Sequence, residues 1–352
     1  MKILGIETSF DETAMAVVDD GKLIANVVNS SMDLFVAYGG VVPEIAARSH
    51  IEAMTPVIQQ VLEQAACTWD DIDAIAVTYG AGLSGSLLVG VMTARTLAIA
   101  KNKPLYAINH VEAHIYASFI TSTSLPGYQL PTTQPQFPML GLIVSGAHSQ
   151  LVFWRGHFDY TLLGQTQDDA IGEAFDKVAK ILGLPYPGGP SVAKLAAQGD
   201  AHAYNFPKAK LQGRYEFSFS GVKTAVLRAA QAEIGESHMF PSSGLAQRLS
   251  DAHKANIAAS FQRIAVETVV DKTIQAVEEF QPKSVVIGGG VAASPELRRQ
   301  LAARLPFPVT YQDPRLMTDN GAMIAILGFY KALRSQPTAD PYTLNIAPNL
   351  SM

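Results

Sequence analysis

Apolar residues recur along this chain with two periods. The spacing of an amphipathic helix, about 3.6 residues, runs through residues 44–66, 86–101, 110–121, 172–182, 222–232, 252–280, 295–305 and 319–335. Short runs dense in Val, Ile, Leu and Tyr fall between them, at 74–78, 105–108, 284–287 and 308–311, with the length and composition of buried strands. Helices alternating with short buried strands predict an α/β protein.

A second pattern occurs twice. Leu4-Gly5-Ile6-Glu7-Thr8-Ser9 and Leu140-Gly141-Leu142-Ile143-Val144-Ser145 each carry an apolar strand to a serine. A short polar turn and another apolar strand follow each, at 13–18 and 150–154, and then a glycine turn, Asp19-Asp20-Gly21 and Arg155-Gly156-His157. Hairpins used twice in this way predict two halves of similar construction. Between the copies the chain is rich in Ser, Thr, Pro and Gln and has no apolar period, which marks an irregular connection at 121–137. The expected domains are therefore 1–120 with a C-terminal helix at about 320–350, and 138–319.

Composition agrees with that division. A length of 352 residues is about twice that of a typical domain, and 48% hydrophobic with 16% charged residues describes a well-buried enzyme-like chain. The single cysteine, Cys67, excludes a disulfide framework or a cysteine metal cluster and suits a reducing cytoplasm. Glu7 interrupts the start of any signal-peptide core. The most apolar helix, 86–101, contains Arg95 and is too short to span a bilayer. A cytoplasmic protein with no membrane partner is expected. The net charge of −5 argues against binding nucleic acid through phosphates by this chain alone. Basic residues gather at Lys177 and Lys180, at Lys208, Lys210, Arg214, Lys223 and Arg228, and at Arg298, Arg299 and Arg304. These read as solvated faces, so an RNA substrate would draw part of its positive surface from a partner subunit.

Candidate chemistry begins at Asn109-His110-Val111-Glu112-Ala113-His114. Two imidazoles four residues apart lie on one helix face, the presentation that holds a single metal ion; the alternative is a histidine pair on an ordinary amphipathic helix. Thr318-Asp319-Asn320-Gly321 opens another apolar helix, and Asp319 could complete a His/His/Asp set with coordination positions left open. Glu112 lies about 200° around the helix from His110, so the His-Glu-x-x-His arrangement of zinc proteases is absent. No phosphate-binding P-loop is present, since the Gly21-Lys22 pair is followed by Leu23. The turns at 9–13 and 145–149 can point backbone N–H groups and hydroxyls at an anion. The strand 285–287 runs into Gly288-Gly289-Gly290 and then Ser294-Pro295-Glu296, where bare backbone can lie against a flat ring or simply make a tight strand-to-helix turn. A rigid loop at 184–190 follows a helix bearing Asp176 and Lys177. His50, His157, His202, His238 and His253 read as surface or packing residues.

Paired hairpins, a triple-glycine turn after a strand and duplicated halves resemble the superfamily of actin, sugar kinases and heat-shock chaperone ATPases. Within it the His110/His114 pair and the 318–321 turn make the chain resemble the TsaD family, the tRNA N6-adenosine threonylcarbamoyltransferases. The likeness runs from Met1 to about Tyr330. It rests on Gly-Ile-Glu-Thr-Ser at 5–9, Asp-Glu-Thr at 11–13, Tyr-Gly-Gly-Val-Val-Pro-Glu at 38–44, Gly-Glu-Ala-Phe-Asp-Lys at 172–177, Tyr-Pro-Gly-Gly-Pro at 186–190 and Phe-Ser-Phe-Ser-Gly at 217–221.

This resemblance implies two similar actin-like domains flanking a nucleotide-binding cleft. It implies transfer of a threonylcarbamoyl group from threonylcarbamoyl-AMP to N6 of the adenosine beside the anticodon of tRNA. His110, His114 and Asp319 would hold one divalent metal, Fe(2+) by resemblance, with Zn(2+) also accepting these ligands. Ile143, Val144, Ser145, Gly146 and Ala147 would touch the adenylate, with Asp176 and Gly189 near its sugar and Ser294 beside the purine. The attacking amine needs a base, for which Asp11 or Glu12 at the first hairpin turn is the candidate. Implied partners are a paralogous TsaB-like subunit and a TsaE-like ATPase. Some positions depart from the family pattern. Phe10 replaces a cysteine, Asn109 a histidine, Ala81 a proline, Ala147 a glycine and Ser294 an asparagine. Ala147 would be strained if its φ had to be positive, and Ser294 lacks the paired donor and acceptor of an amide. The rival readings are a small-molecule kinase of the same superfamily and a catalytically inactive scaffold paralogue.

Overall fold

The computed structural model describes residues 1–35, 38 and 40–352; Gly39 of the 38–44 motif lies outside the described residues. The chain forms two compact units, one of 1–135 with 310–352 and one of 136–309.

The first unit opens with β1 (Lys2–Glu7), β2 (Glu12–Asp19) and β3 (Lys22–Ser30), then α1 (Met32–Phe35), α2 (Pro43–Ala65), β4 (Ala74–Gly80), α3 (Ser84–Lys101), β5 (Leu105–Asn109) and α4 (His110–Tyr116). Its strands run in the order β3-β2-β1-β4-β5, with β1–β2–β3 antiparallel and β4 and β5 added in parallel. Leu4, Ile6, Met15 and Val17 join a core cluster with Val57 and Val61 of α2 and Val91 and Ala94 of α3. Both faces of the central strands are covered, which explains their nearly unbroken apolar sequences.

The second unit contains β6 (Met139–Val144), β7 (Ser149–Gly156), β8 (Asp159–Gln165), α5 (Ile171–Leu182), α6 (Gly188–Ala196), α7 (Ser220–Glu233), α8 (Asp251–Phe280), β9 (Ser284–Gly288) and α9 (Pro295–Arg304). With the short strand β10 (Thr310–Tyr311) at its edge, this five-stranded sheet runs β10-β9-β6-β7-β8, with β6 antiparallel to β7, β7 antiparallel to β8 and β6 parallel to β9. The sequence repeat is thus a repeat of topology, β1-β2-β3-β4 in one unit and β6-β7-β8-β9 in the other. Helix α6 begins inside the stretch that its glycines and prolines mark as loop. The open Gly188-Gly189 backbone starts the helix and Pro190 falls in its first turn, where no intrahelical N–H is required.

The chain returns to the first unit through the short strand β10 (Thr310–Tyr311) and ends its regular structure with α10 (Gly321–Leu333). Beyond β10, which borders β9, residues 312 and 313 bond to the first unit. Asp313 accepts from Gln129 N, and the Gln312 amide donates to the His114 carbonyl and to Ser118 Oγ. The irregular connection joins the same unit through backbone bonds between Leu23 of β3 and Ser122 and Ser124. The helix expected to reach about residue 350 stops at Leu333, and Pro337, Pro341 and Pro348 keep the remainder in turns and irregular chain. That tail lies along the β4–β5 side, with Ala339 N donating to Leu105 O and Ala347 N to Tyr79 O, both at 2.7 Å. Among the described residues no helix is long and apolar enough to cross a membrane.

Helix α10 is buried from Gly321 through Tyr330 and lies directly on β1 and β2. A Cβ added at Gly5 would sit 2.4 Å from Ala325 N and 2.5 Å from Gly321 O, and one at Gly321 would sit 2.3 Å from Met15 C. Neither obstacle is a flexible side-chain end. Gly5→Ala should therefore lower unfolding stability by about 3 kcal/mol, read as a shifted urea midpoint. Gly221→Ala, where nothing lies within 4 Å of the new methyl, should show no loss.

Candidate functional site

Helix α4 starts where β5 ends because Asn109 caps it, its side-chain oxygen accepting from Val111 N at 2.8 Å and Glu112 N at 3.4 Å. His110 and His114 then share one face, with ring centroids 4.7 Å apart. Asp319 lies just ahead of Asn320, which caps α10 by accepting from Met323 N at 3.1 Å. Asp319 therefore belongs to the entry turn of that helix and not to its first turn. One of its oxygens, Oδ1, is 3.6 Å from His110 Nε2 and 3.3 Å from His114 Nε2. Both imidazoles are buried and the Asp319 side chain is 17% exposed, and the three ligand atoms lie within 4.8 Å of one another.

These residues fit a metal. Both nitrogens of His114 are buried without a hydrogen-bond partner, an expensive arrangement for an imidazole in an apolar interior. A cation held between Nε2 and the Asp319 carboxylate satisfies one of them. His110 is oriented from behind: its Nδ1 is 3.0 Å from Ser9 Oγ and 3.3 Å from Glu7 Oε2. Burial lowers the His110 pKa, but the Asp319 and Glu7 carboxylates outweigh it and raise the value to about 9. Glu112, as its helix position predicts, is no part of this group. It is buried elsewhere, and burial lifts its pKa to about 7 against the opposing pull of Lys331.

The first hairpin turn adjoins this centre. The Phe10 ring meets His110 edge-on at 5.5 Å, and the Phe10 carbonyl accepts from His50 Nε2 at 3.0 Å and Ser86 Oγ at 3.1 Å. His50 Nδ1 is 2.8 Å from Thr13 Oγ1, and burial holds its pKa below the ordinary histidine value. His50 is thus a packing residue with both nitrogens engaged, and it pins the turn. Glu12 is raised well above the usual carboxylate range by burial first, then by Asp319 and Asp11. Asp11 is raised by burial, against a hydrogen bond from Glu12. This turn does not suit the anion that its sequence suggested. Ser9 N is given to Glu7 Oε1, the hydroxyls of Ser9 and Thr13 face His110 and His50, and Asp11 and Glu12 would repel a phosphate.

The matching turn in the second unit carries no such charge. Ile143 and Val144 are completely buried, so only their backbone can meet a ligand, whereas Gly146 and Ala147 are exposed. Ala147 does not adopt a positive φ, and its methyl brings no backbone strain. Ser145 O and Gly146 O accept from Gly172 N and Glu173 N at 3.2 Å, which ties the turn to the start of α5. Gly289, at φ 93°, is the position where glycine is required: a Cβ there would lie 2.4 Å from Val144 O. Residues 143–147 and 288–290 thus meet at the carboxyl ends of the parallel strands β6 and β9, the usual location of ligands in α/β sheets. Ser294 caps α9, its hydroxyl accepting from Leu297 N at 3.4 Å. Asp176 accepts from Gly188 N at 2.7 Å, and Gly189 beside it faces open space.

Other features are structural. Asp168 accepts from Ser218 Oγ, Ser220 Oγ and Phe219 N, so the 217–221 motif fastens the start of α7. A cavity of about 680 Å³ is lined by α6, α8 and α9, but its Arg263, Arg299 and Arg304 are already paired with Glu267, Glu296 and Asp271. Sequence reasoning missed Glu7, Ser9 and Thr78 as supports of the His110 ring. The available signal was a carboxylate closing an otherwise apolar strand.

Comparison with known proteins bears on the whole chain. Residues 22–326 match the family model described as TsaD: tRNA N6-adenosine threonylcarbamoyltransferase. A protein of that name from Thermomicrobium roseum is 48% identical over 342 residues, covering 95% of this chain and 93% of the relative. Another from Symbiobacterium thermophilum is 46% identical over 354 residues, covering 99% and 96%. Among solved structures, full-length HypF in its phosphate- and nucleotide-bound form aligns with a TM-score of 0.59 at 14% identity, over 95% of this chain and 56% of that one. Component A of the (R)-2-hydroxyglutaryl-CoA dehydratase of Acidaminococcus fermentans aligns at 0.50 and 16% identity, over 95% and 99%. At such identities these two show a shared fold only.

Burial raises the Asp176 pKa, against the bond from Gly188 N. A carboxyl raised on folding contributes stability below its unfolded value and loses that contribution as pH climbs through the folded one. Asp176→Asn keeps an acceptor for Gly188 N and removes the charge. Its thermal midpoint should gain on that of the native chain as pH rises from 4 to 8, in buffers of about constant ionic strength, and a constant offset would contradict the assignment.

Proposed function

This chain belongs to the TsaD family of tRNA N6-adenosine threonylcarbamoyltransferases, and from that premise we infer that it moves the threonylcarbamoyl group of threonylcarbamoyl-AMP to N6 of the adenosine adjacent to the anticodon of tRNA. The observation that carries the mechanism is the buried His110/His114/Asp319 group, in which an imidazole without hydrogen bonds faces a carboxylate.

An adenine amine is a poor nucleophile because its lone pair is delocalised into the ring. The mixed anhydride with AMP compensates with a good leaving group, so no phosphoryl transfer is needed. In the reaction N6 bonds to the carbamoyl carbon, the carbon–oxygen bond to phosphate breaks, AMP departs and the amine sheds a proton. A single divalent metal held by His110, His114 and Asp319, iron by family resemblance, would supply Lewis acidity and a template worth several kcal/mol, where about 1.4 kcal/mol is tenfold in rate.

The chain's own side chains do the rest. Glu12 is the base that receives the amine proton. Burial and the neighbouring Asp319 and Asp11 charges raise its proton affinity toward the working pH, as such a role requires. Asp11 shares a hydrogen bond with Glu12 and holds it in place. In the second unit the backbone of Ile143, Val144, Ser145, Gly146 and Ala147 lines the adenylate, with Asp176 and Gly189 at the sugar. Ser294 stands beside the purine, and its hydroxyl, already used as a helix cap, grips the base less firmly than an amide would. Many of the basic side chains available to tRNA are committed. Lys177 and Lys223 bond Asp169, Lys208 bonds Asp271, and Arg214 pairs with Glu279. With a net charge of −5, this supports a TsaB-like subunit as provider of positive surface; a TsaE-like ATPase as further partner and a cytoplasmic setting rest on the family resemblance alone.

The test is to incubate the purified chain with threonylcarbamoyl-AMP, tRNA and the partner proteins, digest the RNA and quantify modified adenosine by mass spectrometry. His114→Ala should reduce the modification rate by about 100-fold or more. Undiminished modification in the His110→Ala/His114→Ala double variant contradicts the mechanism. Glu12→Gln should lower kcat by about 100- to 10,000-fold without changing metal content.

A further inference from the structure

We propose that Glu7 is a positioning residue of the metal centre: it selects the tautomer of His110 that offers Nε2 to the cation and supplies the second buried negative charge that balances a divalent ion. The inference rests on the metal reading given above.

Glu7 closes β1 and is wholly buried, with Leu4 and Ile6 of the same strand in the core. A carboxylate in such surroundings is sustained only by donors aimed at it, and the donors are there. Ser9 N reaches Oε1 and Thr78 Oγ1 reaches Oε2, both at 2.5 Å. The Ser9 backbone is itself held, its carbonyl accepting from Leu83 N at 2.8 Å. The same Oε2 then stands 3.3 Å from His110 Nδ1, with Ser9 Oγ 3.0 Å from that nitrogen.

An ionised carboxylate can only accept and the Ser9 hydroxyl can accept as well, so hydrogen on His110 Nδ1 suits both of its neighbours. The lone pair of the neutral ring is then on Nε2, the nitrogen directed at Asp319 Oδ1. The opposite tautomer would set a lone pair against Glu7 and direct an N–H at the place of the cation. His114 has no such support, since its Nδ1 is buried with no hydrogen-bond partner, and the two histidine ligands are unequal for that reason. Charge gives a second argument. Two neutral imidazoles and Asp319 leave a dication with one uncompensated positive charge in a buried site, and Glu7 cancels it. Partners of this kind, a carboxylate behind a ligating histidine, change metal affinity by about 10- to 100-fold.

The experiment titrates the metal-free full-length chain with Co(2+) and Zn(2+), following the visible spectrum of bound cobalt and competition by a chelator of known affinity. The native chain should bind one equivalent, Glu7→Gln should bind about 10- to 100-fold more weakly with an unfolding midpoint of the metal-free form near that of the native chain, and His114→Ala should bind more weakly still. Native affinity in Glu7→Gln, alongside weak binding by His114→Ala, overturns the role of Glu7 and leaves the metal site standing. Absence of stoichiometric binding by the native chain overturns the metal reading and this inference with it. Should Glu7→Gln not fold, ¹⁵N-histidine spectra of the zinc-loaded native chain decide: hydrogen on His110 Nδ1 supports the assignment, and hydrogen on Nε2 overturns it.

Discussion

The backbone-to-backbone packing of α10 on β1 and β2 is the constraint from which the centre follows. Glycine at 5 and at 321 removes the side chains that would hold the helix away from the sheet. The start of the helix is thereby fixed against the strand that ends in Glu7, and Asp319 arrives beside the histidines of α4. Substitutions that lift α10 would move one ligand relative to the other two, so the stability of this contact and the geometry of the centre are not separable.

Electrostatics then decides what the first unit can hold. Glu7, Asp11, Glu12 and Asp319 are gathered around two imidazoles, and burial together with mutual repulsion lifts Asp11 and Glu12 above their ordinary values. Such a collection is costly without a cation and favourable with one. It also explains why two hairpin turns at matching places in the two units differ in chemistry. The turn after β1 is crowded with the carboxyl groups of Asp11 and Glu12, while the turn after β6 presents uncharged backbone and hydroxyl groups at the carboxyl ends of parallel strands.

Much of this was legible in the chain itself. Helical and strand periods, the duplicated hairpin, the four-residue spacing of His110 and His114 and the Thr318-Asp319-Asn320-Gly321 turn are local patterns, and local backbone geometry enforces them. The conditional strain at Ala147 does not arise, because φ at that position is not positive. At Ser294 the sequence proposes a base contact, and the structure adds that its hydroxyl oxygen caps α9 by accepting from Leu297 N while its O–H remains a donor.

What sequence alone determined was most of the elements, the duplicated hairpin and the His110, His114 and Asp319 candidates that the fold brings together, since each depends on spacing within a few residues or on a local motif. Tertiary structure decided that Gln312 and Asp313 bond to the His114 and Gln129 backbone, that Glu7 stands behind His110, that His50 fastens the Phe10–Thr13 turn and that Gly5 and Gly321 touch. These are contacts between residues 37 to more than 300 positions apart in the sequence, and no periodicity records which distant atoms a close-packed core will bring within bonding distance.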